Sequence, residues 1–159
     1  MKTGTRTGMH FGLTSGVITT LGLMVGLHAG THSTAAVIGG IITIAIADSL
    51  ADALGIHIAK ESEPSTTTRE VWLATFATLT TKLLVTASFL IPVLVLPLNY
   101  AIIAGVVWGL GMLVVLSFKL ALDQKRSPWA VVAEHTAIAI FVIVSVHVIG
   151  EKLGAYFSP

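Results

Sequence analysis

Two long stretches without a charged residue constrain this chain more than any other feature. Residues 11–47 and 83–118 contain no Lys, Arg, Asp or Glu. About 20 apolar residues cross a bilayer as a helix, so each stretch is long enough for nearly two spans. Charged residues form 11% of the chain, against about 25% in a typical soluble domain. We therefore predict an all-α integral membrane protein that lies in a lipid bilayer.

Helix-breaking residues divide the two stretches into spans. Gly30 and two histidines interrupt the first stretch, and Pro92 and Pro97 interrupt the second, because each proline lacks a backbone donor and clashes with the preceding turn. The sequence thus predicts one domain, residues 1–159, with five transmembrane helices. The predicted spans are roughly 9–29, 34–60, 71–92, 98–119 and 128–150.

The basic residues predict an orientation in the membrane. They concentrate in the N-terminal tail, the second loop and the fourth loop: Lys2, Arg6, Lys60, Arg69, Lys119, Lys125 and Arg126. The positive-inside rule then places the N-terminus in the cytosol and the C-terminus outside. The basic start leads into a full-length span, so we expect no cleavable signal peptide. We expect the protein in a prokaryotic cell membrane, and the net charge of +1 gives no reason to predict nucleic acid as a partner.

Two carboxylates stand where a spanning helix should avoid charge. Asp48 and Asp52 lie in "IAIADSLADALGIHIAKESE", residues 44–63, and their spacing of four puts them on one side of a helix. An Asp at the centre of a span costs about 2.5–3.5 kcal/mol and often marks an ion pathway. Ser15, Glu134 and His135 fall at a similar depth. These residues together predict a cation site, with Ser15 and Lys82 lining the pathway.

The predicted donors suit divalent metal ions. Carboxylates favour Mg²⁺, Ca²⁺ and Mn²⁺, and added histidines also suit Fe²⁺ or Zn²⁺. His57 and Glu61 share a face near the inner end of span 2 and form a second candidate site. Two further pairs with helical spacing lie at the outer end, His28 with His32 and His147 with Glu151. The simpler interpretation of those outer pairs is that they are solvated at the interface.

Lys82 supports an alternative to transport. It lies near the middle of span 3 and must have a partner, for which Asp48 or Glu134 is the expected candidate. A closed pair between Lys82 and a carboxylate would compete with a metal ion. It would suit a non-transporting scaffold or subunit.

An enzyme is less favoured. The chain has no cysteine, no G-x-S-x-G and no H-E-x-x-H, although Asp48, Asp52, Glu134 and His135 could in principle form a di-metal centre. We expect no catalytic activity and no organic cofactor.

Three segments resemble a known family of transporters. "FGLTSGVITTLGLMVGLHAG" (11–30) is similar to a pattern F-G-x-x-D-G-L-x-x-T-x-A-L-x-x-G. "AIADSLADALGIHIAKESE" (45–63) is similar to A-x-x-L-x-M-A-x-G-E-Y-x-S-x-x-S, and residues 119–154 are similar to the ending of the same proteins. These patterns are those of the vacuolar iron transporter family. The resemblance implies five spans and transport of Fe²⁺ or Mn²⁺ out of the cytosol, with exchange against protons.

The chain departs from that family at the metal path. The family's span-1 aspartate aligns with Ser15, its span-2 methionine with Asp52, and the glutamate of its G-E-Y with Ile56. Replacing a thioether by a carboxylate hardens a site, which favours Mn²⁺ or a broad divalent range. The loop between spans 2 and 3 is too short for the Glu-rich insert of the plant members.

The resemblance also implies a homodimer through span 1. Gly12 with Gly16 and Gly22 with Gly26 have the small-x-x-x-small spacing that lets helices approach closely. We expect these pairs at the two-fold interface. Such a dimer would bring four carboxylates around one axis, and they could stay close only with bound cations or protons.

Overall fold

Six helices account for the part of the chain that the structure describes, residues 3–157. In this computed structural model they are α1 (Thr3–Thr31), α2 (Thr34–Glu61), α3 (Thr68–Ser88), α4 (Leu90–Val95), α5 (Leu98–Asp123) and α6 (Pro128–Phe157). With α3 and α4 joined as Thr68–Val95, five helical segments are long and apolar enough to cross a membrane. The predicted helical class and number of spans are confirmed. The orientation stays a prediction, and Lys2 lies outside the described residues.

Polar side chains fix where the helices begin. The Ser33 side chain accepts a hydrogen bond from the backbone N–H of Ala36 at the start of α2. Thr67 and Glu70 form a reciprocal capping box at the start of α3. Both devices satisfy backbone donors that have no partner within the helix. The turns between spans are therefore short and well defined.

The two prolines act where the sequence analysis placed them. Pro92 cannot donate to the Ser88 carbonyl four residues earlier, and the helix is interrupted at Phe89, between α3 and α4. Leu96 has an extended backbone, as the residue before a proline prefers. Pro97 then caps the start of α5. The third span is thus a broken helix rather than a continuous one.

Helix α1 is the centre of the bundle and packs against α2, α3, α5 and α6. Its contact with α3 keeps one register, in which every fourth residue from Gly4 to Thr20 faces the residue 66 positions later. Thr20 Oγ1, for example, donates to Thr86 Oγ1 at 3.2 Å. A Cβ on Gly12 would lie 2.7 Å from the Thr78 carbonyl oxygen, so glycine is required there. The row that makes this contact is Gly4, Gly8, Gly12 and Gly16.

The other half of α1 faces α6. A Cβ on Gly22 would contact Val142, and one on Gly26 would contact Val146. The glycine pairs that we predicted at a two-fold interface therefore pack within the chain, one pair on α3 and the other on α6. That part of the prediction is wrong, because the spacing shows that a helix approaches closely and does not show which helix it is. The homodimer itself stays a prediction.

The apolar core surrounds the second half of α1. Leu21 and Met24 pack there with Ile41 of α2, Phe89 at the α3–α4 break and Leu113 of α5. All five side chains are buried. The first half of α1 instead carries Ser15 and lies beside the charged residues of α2 and α3. The core thus holds the helices at one end and leaves a polar layer at the other.

Helix α2 presents a continuous exposed face of small residues. Gly39 and Gly55 lie on it, and a Cβ on either would have no atom within 4 Å. The face consists of Ala35, Gly39, Thr43, Ala47, Ala51, Gly55 and Ala59. Another helix could approach this face closely, because its residues are small.

Candidate functional site

Lys82 is a lysine with no exposed side-chain surface, and oxygen atoms surround its ammonium group. Nζ donates hydrogen bonds to Ser15 Oγ at 2.9 Å and to Asp52 Oδ2. Asp48 Oδ2 lies 2.6 Å from Nζ as an ion pair, without the alignment of a hydrogen bond. The predicted pairing of Lys82 with Asp48 is confirmed. We call Ser15, Asp48, Asp52 and Lys82 the lysine cluster.

Three helices position the cluster. Gly16 of α1 leaves room for the Lys82 stem, since a Cβ there would lie 3.4 Å from Lys82 Cγ. The next residue back, Ser15, donates to Asp52 Oδ2 at 2.6 Å. Asp48 and Asp52 are one turn apart on α2 and so reach the same ammonium group. The close approach of α1 and α3 therefore places Lys82 opposite the aspartate pair.

The charges of the cluster do not balance when every group is ionised. One ammonium faces two carboxylates, which leaves one negative charge. Lys82 is fully buried, whereas Asp48 and Asp52 keep 31% and 21% of their side-chain surface exposed. An uncompensated charge in an apolar interior is costly. A cation that entered the cluster would therefore meet a net negative charge.

Glu134 and His135 do not join this cluster. Glu134 is exposed and lies 3.8 Å from Arg126, and His135 Nδ1 lies 2.8 Å from Ser117 Oγ. Their helix, α6, packs on α1 and α5, whereas α2 packs on α1, α3 and α4. Glu134 is therefore not the partner of Lys82. Equal depth along two spans did not bring their residues together, because depth does not fix which helices are neighbours.

The candidate site at the inner end of span 2 is also not assembled. His57 Nδ1 lies 2.9 Å from Thr75 Oγ1, and its ring packs edge-on against Trp72. Glu61 is exposed on the last turn of α2. His57 thus contacts α3 rather than a second metal ligand.

The outer histidines form two separate pairs. The rings of His28 and His32 meet edge-on at 5.4 Å, and His147 Nε2 lies 3.4 Å from Glu151 Oε1. Within residues 3–157, no three His, Asp or Glu side chains are grouped so that they could hold a metal ion together. Among the residues that the structure describes, we take the lysine cluster as the candidate site, because its buried charges are in direct contact.

Comparison with protein-family models, with curated proteins and with solved structures gave no match. The resemblance to the vacuolar iron transporter family therefore remains a prediction from the residues of spans 1, 2 and 5.

Proposed function

We propose that this chain is a membrane transporter that exchanges a divalent cation for protons at the lysine cluster. One observation carries the proposal: a fully buried lysine faces two partly exposed carboxylates whose charges exceed its own. The cluster lies among five helical segments that are long and apolar enough to cross a membrane, which supports a position within the bilayer. Ionisable residues at such positions commonly serve ion or proton pathways.

The proton-loaded state is neutral. Lys82 carries its ammonium charge, one aspartate is ionised and the other aspartate holds a proton. The remaining carboxylate accepts from Lys82, as Asp52 does in the structure. A neutral cluster avoids the cost of a net charge in the apolar interior.

The metal-loaded state is neutral as well. Lys82 gives up one proton, the protonated aspartate gives up another, and a divalent ion binds between two ionised carboxylates. The charge of the ion then equals that of Asp48 and Asp52 together, and Ser15 Oγ offers a neutral oxygen beside Asp52. Binding one ion thus releases two protons, and the exchange moves no net charge.

The donors indicate which ions the site accepts. Carboxylate and hydroxyl oxygens favour hard divalent ions such as Mn²⁺ and also accept Fe²⁺. The resemblance of the chain to iron transporters adds Fe²⁺ as an expected substrate and the cytosol as its source. The carboxylate of Asp52, where that family has a thioether, favours Mn²⁺ over Fe²⁺.

The proposed homodimer uses α2 rather than α1. Four helices of its own chain surround α1, whereas the small-residue face of α2 is open. Ala47 and Ala51 of that face directly precede Asp48 and Asp52 in the sequence. A second copy on this face would bring the two clusters towards a shared axis.

The second candidate function is a scaffold or subunit in which the lysine cluster is only structural. The contacts of Lys82 favour this second function, because Nζ already contacts three oxygen atoms. In that case the remaining charge is a permanently bound proton and no ion exchanges.

Metal uptake into proteoliposomes distinguishes the two functions. Uptake of Mn²⁺, Fe²⁺ and Zn²⁺ would be measured for the wild type and for Asp52→Asn, with and without a pH gradient. Asp52→Asn keeps the Lys82–Asp48 pair with balanced charge, so the protein should fold but lose uptake. Asp123→Asn is the matched control, because Asp123 pairs with Arg6 away from the cluster. Absence of uptake in the folded wild type would favour the scaffold.

A further inference from the structure

A long apolar crevice runs along one face of α5. Its main part has a volume of about 790 Å³ and includes Leu13 of α1, with Trp108, Gly111 and Lys119 of α5. A second part of about 380 Å³ shares Trp108 and continues to Val95 of α4. The crevice thus extends from the helix break in the third span towards the last turn of α5.

The lining is apolar except at one end. Trp108 and Ser88 both line the second part, and their polar groups are paired with each other, since Trp108 Nε1 donates to Ser88 Oγ at 3.1 Å. A Cβ on Gly111 would have no atom within 4 Å, so the crevice is open there. Lys119 closes the end nearest the α5–α6 turn and takes part in none of the ion pairs found within residues 3–157. The result is an apolar slot with a cation at its mouth.

The basic end continues beyond Lys119. Lys125 and Arg126 follow in the turn after α5, and Arg6 of α1 lies beside the end of α5 through its pair with Asp123. Arg6 and Arg126 each pair with a carboxylate, so Lys119 and Lys125 carry the positive charge of this end that no ion pair within residues 3–157 balances. An occupant with an anionic group and an apolar tail would match both parts of the crevice.

We infer that this crevice binds an anionic phospholipid, with an acyl chain along α5 and the headgroup phosphate at Lys119. Basic pockets between spanning helices bind the headgroups of anionic lipids. Eleven residues separate Trp108 from Lys119, which is about 16 Å along a helix. Half of a hydrocarbon core about 30 Å thick is about 15 Å. One acyl chain from one leaflet therefore reaches from Lys119 to Trp108. This inference is independent of the proposed transport.

Trp108 allows a direct test by fluorescence quenching. Trp72→Phe and Trp129→Phe leave Trp108 as the only tryptophan, because the chain has three. The protein would be placed in two preparations of phosphatidylcholine vesicles. One contains brominated phosphatidylglycerol, and the other contains the same mole fraction of brominated phosphatidylcholine. We expect quenching of Trp108 to show that brominated phosphatidylglycerol is enriched about fivefold beside it over brominated phosphatidylcholine. This is the enrichment of an anionic lipid that one basic residue gives.

Three variants separate headgroup recognition from contact with the acyl chain. Lys119→Gln should abolish the preference and leave quenching by phosphatidylcholine unchanged. Gly111→Leu fits the open space and should reduce quenching by both lipids. Lys152→Gln is the control, since Lys152 is an exposed lysine on the last turns of α6.

Two results would overturn the inference. Equal quenching by both lipids in the wild type, or a preference that survives Lys119→Gln, would make the crevice an ordinary lipid-exposed surface. Absence of quenching by either lipid would show that protein, such as a second copy of the chain, fills the crevice instead.

Discussion

Replacing Lys82 by methionine tests whether the lysine cluster is held by charge. Methionine keeps an unbranched stem beside Gly16 and removes the ammonium group, which leaves two carboxylates without their cation. Removing one partner of a buried ion pair costs about 3–5 kcal/mol. Asp48 and Asp52 are partly exposed, so solvent compensates some of this loss and we expect the lower limit. Lys82→Met should therefore lower the free energy of unfolding by about 3 kcal/mol.

A mutant cycle isolates the charge from the packing. Asp48→Asn with Asp52→Asn leaves Lys82 buried without an anion and should also cost about 3 kcal/mol. The triple variant with Lys82→Met has no charge in the cluster and should lie within about 1 kcal/mol of the wild type, because a buried ion pair replaced by neutral groups often costs little. The assay is equilibrium unfolding in mixed detergent micelles, with the same detergent for every variant.

Two results of the mutant cycle would contradict the interpretation of the lysine cluster as an interacting unit. If Lys82→Met changed the free energy of unfolding by less than about 1 kcal/mol, the lysine would not be balancing the aspartates. If the triple variant lost the sum of the two separate costs, the groups would act independently and the cluster would not be an interacting unit.

Three further predictions concern packing, hydrogen bonding and pH. Gly12→Ala should destabilise the bundle by about 1–3 kcal/mol through overpacking against α3. Gly111→Ala, in open space on α5, should be neutral or stabilising, and thermal unfolding that ranked the two variants oppositely would contradict the packing. Ser15→Ala should cost about 1–2 kcal/mol in the same unfolding assay, because it removes hydrogen bonds to Asp52 and Lys82, and no change would show that water replaces the hydroxyl. Hydrogen bonds from Lys60 and Thr66 lower the pKa of the exposed Glu63 carboxyl below 4.5. The ionised Glu63 side chain should therefore hold the α2–α3 loop ordered above pH 4.5, and this order should be lost as the pH falls through the lowered pKa. Amide hydrogen exchange of the loop should show this pH dependence in the wild type and not in Glu63→Gln.

The sequence was sufficient to predict the spans and one contact of the site. The length of the stretches without charged residues gives the number of spans, because the rise per residue of a helix and the thickness of the bilayer are fixed. The position of Pro97 then marks where the fourth span begins. A lysine in mid-span must have an anion near it, so chemistry alone limited the partner of Lys82 to Asp48 or Glu134, and the structure shows Asp48. These conclusions depend on depth and charge, which a sequence specifies.

The rotation of each helix about its axis, and the helices that become its neighbours, could not be predicted in the same way. Glu134 was predicted at the depth of Asp48, but it lies on a helix that does not pack against α2. Gly12 and Gly16 indicate a close helix contact, yet only the structure shows that the contact is with α3 of the same chain. A further signal in the sequence is the continuation of this row through Gly4 and Gly8, which extends the contact over about three turns.

Proton release on metal binding tests the central claim most directly. Mn²⁺ would be titrated into the purified protein by calorimetry in buffers of different ionisation enthalpy, with Asp52→Asn as the comparison. The account predicts two protons released for each ion bound by the wild type, and no such binding by Asp52→Asn. Binding without proton release, or binding that is unchanged in Asp52→Asn, would contradict exchange at the lysine cluster.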